Sequence, residues 1–182
     1  MLMKTLYGVN MKNAWLSVCL VATFTAYPAF AKEPAKKPAP PAISSISKTV
    51  VKMQIAKGVG LDEAAESMKL RANMLNMKLV AELPLSKQVE ATTGKPERRM
   101  VIYQFCDALT AKQMVDYSMD FAAYLPCRIA LIEDEKKQGW LVMMDLNILI
   151  DSAGLNPNLK KKAIEVRNNL ENIMKAGANG EL

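Results

Sequence analysis

Between Lys32 and Pro41 the chain reads Lys-Glu-Pro-Ala-Lys-Lys-Pro-Ala-Pro-Pro, four prolines in ten residues. Proline has no amide donor and its ring clashes with the preceding turn, so neither a helix nor an inner strand runs through this stretch. Residues 32–45 are expected to form a semi-extended tether. Whatever folds into a core must do so after it, from about Ile46 onward.

The segment before the tether has the pattern of an export signal. In residues 1–31 the only charges are Lys4 and Lys12, an apolar run spans Ala14 to Ala26, and Ala29-Phe30-Ala31 is a small-x-small cleavage site. Met11-Lys12 offers a second start of more typical signal length. Cys19 lies inside the apolar run, after the bulky Val18, and is expected to leave with the signal. The mature protein is therefore expected to be periplasmic or secreted.

Charge then loses much of its meaning. The whole chain has 24 Lys and Arg against 18 Asp and Glu, but two of the basic residues lie in the leader and three in the tether, with one glutamate. From Ile46 onward 19 basic residues stand against 17 acidic ones, a difference of +2. A nucleic-acid partner is not expected from so small an excess with no aromatic-basic motif. The tether lysines would serve solubility or a weak attraction to anionic lipid or the cell wall.

The folded part alternates elements. Thr49–Ile55 is rich in β-branched residues and reads as a strand. A helix follows with Leu61, Ala64, Ala65, Met68, Ala72 and Leu75 on one face. Met77, Leu79, Ala81 and Leu83 alternate with Lys78 and Glu82, which predicts a half-buried strand ending at Pro84. Leu85–Thr92 is a short helix or a loop. Met100–Phe105 is expected to be an inner strand, Asp107 the N-cap of a helix over 108–119, Cys127–Ile132 a strand, and Gly139–Met144 the second arm of a hairpin. Asn156-Pro157 starts a last helix with Leu159, Ala163, Val166, Leu170 and Ile173 on one stripe, ending at Lys175 with Gly177 beyond. The order β-α-β-β-α-β-β plus a C-terminal helix predicts an α+β domain, a small mainly antiparallel sheet with helices on one face. Its span is 46–154, followed by the helix and tail at 155–182. The apolar stripe of that helix must cover either its own sheet or a partner subunit.

Few residues carry chemistry. The chain has no histidine, which removes Ser-His-Asp and Cys-His nucleophile pairs and His-ligated zinc. There is no phosphate loop, since Gly58-Val59-Gly60 lacks a third glycine and the Lys-Ser/Thr ending. Glu133-Asp134-Glu135 reads as a solvated hairpin tip. After the signal two cysteines remain, Cys106 at a strand-to-helix junction and Cys127 at a strand start. A helix start favours a thiolate, but Asp107 disfavours one beside Cys106. Three readings stay open: a disulfide enclosing 20 residues, worth about 3 kcal/mol by loop entropy; a thiol pair for redox work or a soft ion such as Cu(I); or two apolar core cysteines. Met74 and Met77 form one Met-x-x-Met pair, for which core packing is the plainer role.

Phe105-Cys106-Asp107-Ala108, the helix after it, Leu125-Pro126-Cys127-Arg128-Ile129 and the acidic hairpin resemble the family catalogued as domain of unknown function 302. That family shows Cys-Asn-Pro before the helix, where this chain has Cys106-Asp107-Ala108. The resemblance implies a small α+β domain that associates as a homodimer, and it implies one shared site for Cys106 and Cys127. It supplies no reaction. The expected function is an exported, non-catalytic binding or interaction domain, with thiol-redox or Cu(I) handling by the same pair as the alternative.

The Ala29-Phe30-Ala31 site sets the first prediction. The intact mass of protein purified from its native host should correspond to a chain starting at Lys32; an uncleaved chain in the membrane fraction would overturn it.

Overall fold

The computed structural model describes residues 45–181. The leader expected at 1–31 and the tether up to residue 44 lie outside the described residues. The elements are β1 (Val50–Gln54), α1 (Leu61–Met74), β2 (Lys78–Leu83), α2 (Leu85–Thr93), β3 (Met100–Cys106), α3 (Ala108–Tyr117), β4 (Cys127–Glu133), β5 (Gly139–Met144), α4 (Leu146–Ser152) and α5 (Pro157–Asn179), with short 3-10 turns at Ile46–Thr49 and Met119–Tyr124. The strands form a single five-stranded sheet in the order β1-β5-β4-β3-β2, and every neighbouring pair is antiparallel. The architecture is α+β, as the element order predicts. Among the described residues no helix is long and apolar enough to cross a membrane.

The pleat sorts each strand into two faces. In β3, Val101, Tyr103 and Phe105 are buried while Met100, Ile102 and Gln104 are only partly so. Register then aligns like with like across strands: Tyr103 faces Ile129, Val101 faces Leu131, and Leu131 faces Leu141. α1 and α5 cover this face. Ala64, Met68 and Ala72 of α1 join Leu170, Ile173 and Met174 of α5 in one core with the buried strand residues. The C-terminal stripe therefore docks on its own sheet.

α1 and α5 meet through small residues. A Cβ placed on Gly177 would come within 2.5 Å of Met68 Cγ, 3.0 Å of the Ala64 carbonyl oxygen and 3.0 Å of Leu141 Cδ1. The sequence pattern puts the end of the last helix at Lys175 with Gly177 outside it, and here the structure differs. The helix continues to Asn179, Gly177 is buried inside it, and the left-handed cap is Gly180, at φ 68°. Gly177 is required by close packing, while Gly180 ends the helix; the letter alone does not separate these uses. Beyond the core, Ala56 N–H donates to the Ala178 carbonyl at 2.8 Å, and Arg71 pairs with Glu181 at 2.8 Å.

Two further departures have physical causes. β2 is an edge strand, and Leu79 and Leu83 are 38% and 40% exposed instead of half-buried; only Met77, just before the strand, reaches the core. A register shift between Leu79 and Ala81 leaves Val80 unpaired with β3, so strict alternation does not carry through the strand. α4 was not expected at all. Asp145 caps it by accepting from Asn147 N–H, a role any Asp before an apolar run can play.

Gly177→Ala should lower stability in spite of the higher helix propensity of alanine. Overpacking costs about 1–3 kcal/mol against a propensity gain of about 1 kcal/mol. A downward shift of the urea midpoint checks this, and an unchanged or raised midpoint would show that the helices have room to part.

Candidate functional site

β3 ends at Cys106, and the next residue fixes how the chain leaves the sheet. Asp107 Oδ1 accepts from the backbone N–H groups of Leu109 at 3.1 Å and Thr110 at 3.2 Å, and Thr110 Oγ1 donates to Oδ2 at 2.6 Å. This cap holds the start of α3 against the end of the strand. After α3, the 3-10 turn at Met119–Tyr124 and a cis Leu125–Pro126 peptide bring the chain back. β4 opens with Cys127 opposite Phe105, so the two cysteines are one register position apart at the same end of the sheet.

Both cysteines line one cavity of about 70 Å³. α3 contributes Met114, the 3-10 turn Phe121 and Tyr124, α4 Leu149 and Ile150, and α5 Ala163 and Val166. Polar ties lock these walls from outside. Lys162 donates to Gln113 Oε1 at 2.6 Å, joining α5 to α3. The Tyr117 hydroxyl donates to the Gly154 carbonyl at 2.9 Å, and Arg167 donates to Asn147 Oδ1, joining α5 to α4. Asp107 is the one charged residue in the lining, and its carboxylate is committed to the cap.

The cavity keeps its sulfurs neutral. Both cysteines are free thiols. Burial among apolar side chains pushes the Cys127 thiol up from 9.0 to about 11; Cys106 adds to the rise and the Arg128 guanidinium opposes it. Cys106 is raised too, by burial first and by the Asp107 carboxylate second. For Asp107 itself, partial burial opposes ionisation, but the Thr110 and Leu109 hydrogen bonds and nearby Lys162 outweigh it and hold the carboxyl below its usual range. At neutral pH both thiols therefore stay protonated.

Among the described residues no group of three or more His, Cys, Asp or Glu side chains could hold a metal ion. The soft donors tell more, because Met114 lines the same cavity as Cys106 and Cys127. The Met74 and Met77 pair is not part of this site: Met77 is 1% exposed in the core and Met74 is 79% exposed at the end of α1. Several wall residues are not singled out by the sequence reading, namely Phe121, Tyr124, Leu149 and Ile150. For α4 the signal is Asp145 followed by Leu146-Asn147-Ile148-Leu149-Ile150, an N-cap before an apolar run. Phe121 and Tyr124 sit on a 3-10 turn with no periodicity to mark it.

An antiparallel five-stranded sheet with α1 and α5 on one face and a cysteine-lined cavity at one end defines a small α+β domain. The chain belongs to the family of domain of unknown function DUF302, whose model matches residues 51–177. That match runs from β1 through most of α5. The chain is also similar in fold to the crystal structure of an uncharacterized conserved DUF302 protein from Bacillus stearothermophilus. The TM-score is 0.60 at 14% sequence identity, covering 70% of this chain and 97% of that one. No curated protein matches the chain.

The raised Cys127 thiol makes stability depend on pH in a definite direction. The unfolded thiol ionises near its ordinary 9.0 and the folded one near 11, so between these values the unfolded state binds fewer protons and stability falls as pH rises. The fall should be about 2–3 kcal/mol across that window. Urea unfolding of reduced protein from pH 8.5 to 11 should show this step in the wild type and lack it in Cys127→Ala; parallel curves would refute it.

Proposed function

We propose that this protein is an exported, non-catalytic binding domain, and that the cavity at the cysteine end of the sheet receives a small apolar group. The observation that carries this reading is the lining, which is built almost wholly from apolar side chains on four elements, with two thiols kept protonated by the same burial. A neutral thiol in an apolar wall is a poor nucleophile and a good hydrophobic contact. Size narrows the ligand. A dry cavity of about 150 Å³ takes benzene, so one of about 70 Å³ suits the end of an alkyl chain. Export rests on the leader sequence, and the tether adds weak electrostatic attraction to an anionic surface.

A second reading is favoured by one observation, that the three sulfur-bearing residues Cys106, Cys127 and Met114 line a single cavity. Cu(I) takes thiolate and thioether ligands together. On this reading the reduced protein takes up Cu(I) with loss of two free thiols, and Met114→Leu weakens the uptake. Thiol counting before and after reduction separates both readings from a Cys106–Cys127 disulfide.

The series of linear primary alcohols tests the first reading. Affinity by calorimetry should rise about fourfold per added methylene, the equivalent of about 0.8 kcal/mol, and level off once the cavity is full. Ala163→Phe, which fills the space from α5, should abolish binding while the protein stays folded. No binding, or binding that ignores both chain length and the α5 substitution, would refute the proposal.

A further inference from the structure

The face of the sheet opposite α1 and α5 carries a row aligned across all five strands: Lys52, Val142, Ala130, Ile102 and Leu83. A groove of about 340 Å³ reaches this face at the sheet's cysteine end, with Val50, Ile102, Ala130 and Val142 among the residues that line it. Three residues, Tyr124, Cys127 and Leu146, line both this groove and the apolar cavity. They form a partition between the cavity and the groove.

The two compartments differ in charge. In the groove the one charged lining residue is Arg128. It is exposed and has no ion pair or side-chain hydrogen bond among the described residues. In the cavity the one charged lining residue is Asp107, of the opposite sign. A ligand spanning the partition would therefore meet a carboxylate on the cavity side and an unpaired guanidinium on the groove side. Volume points the same way. Small-molecule sites usually measure about 300–1,000 Å³, which the groove reaches and the cavity alone does not.

We propose that cavity and groove are the two halves of one site for an alkyl carboxylate, with the chain end in the cavity and the carboxylate in the groove against Arg128. The orientation follows from charge. Asp107 in the cavity lining disfavours an anion on that side, and the planar guanidinium of Arg128 can take a carboxylate through two parallel hydrogen bonds. This rests on the cavity reading above and adds the ligand's class and direction.

Octanoate and 1-octanol share a chain and differ at the head, so the pair isolates the new claim. Octanoate should bind roughly three- to tenfold more tightly than octanol at low salt, and added salt should shrink that margin. Arg128→Gln should erase the preference by weakening octanoate; an unaltered thermal midpoint confirms that the variant is folded. Lys52→Gln should leave the preference in place. Ala163→Phe should remove both ligands. Equal binding of the two by the wild type, a preference that survives Arg128→Gln or vanishes with Lys52→Gln, or octanoate binding that survives Ala163→Phe would each overturn the proposal. Octanol binding without a carboxylate preference sinks this inference alone, whereas absence of octanol binding sinks the cavity reading beneath it.

Discussion

The contact between α1 and α5 at Gly177 governs the rest of the molecule. Because no Cβ stands between them, α5 lies against the Ala64 carbonyl, Met68 and Leu141, and its second half is held over the sheet. Its 23 residues span about 35 Å at 1.5 Å each. The seven residues of β3 or β4 span about 23 Å. With the C-terminal half of α5 fixed on α1, the N-terminal half reaches the cysteine end of the sheet. That reach brings Ala163 and Val166 into one lining with Cys106 and Cys127, and α3 and α4 close the sides. The cavity exists because a helix longer than the sheet is anchored at its far end.

The same arrangement explains why the cysteines are chemically quiet. A helix start would ordinarily favour a thiolate at the preceding residue. At this junction the Leu109 and Thr110 amides are already bonded to Asp107, and the carboxylate adds a negative charge next to the sulfur. Capping α3 and activating Cys106 compete for the same N–H groups, and capping wins. Apolar walls then raise Cys127 further. What remains is a pair of polarizable, neutral sulfurs in an apolar lining.

Much of the fold could be read before any coordinates. β-Branched runs at Val50 and Met100, the Asp107 cap, the Gly139–Met144 arm and the stripe through Leu170 and Ile173 each follow from a single local rule, and each forms. The end of the last helix was misplaced because Gly177 has a tertiary reason that looks like a local one. β2 has the alternation of a half-buried strand, but Val80 breaks its register with β3 and the strand stands at the sheet edge. Of the site, Cys106, Cys127 and the α5 wall residues were legible. Phe121, Tyr124 and the α4 residues were not, because a 3-10 turn and a seven-residue helix are too short to show a period. The cavity is a property of how six elements converge, and no window of sequence contains it.

The hydrogen bond from Ala56 N–H to the Ala178 carbonyl joins the stretch just after the first strand to the last turn of the last helix. Leu170, Ile173 and Met174 reach the core only with α5, so as the chain emerges from the ribosome the part of the sheet face that α5 covers stays bare until about 120 residues after β1 have been made. Contacts this distant in sequence form late and slowly. A polypeptide of this kind closes its core only when its final helix arrives.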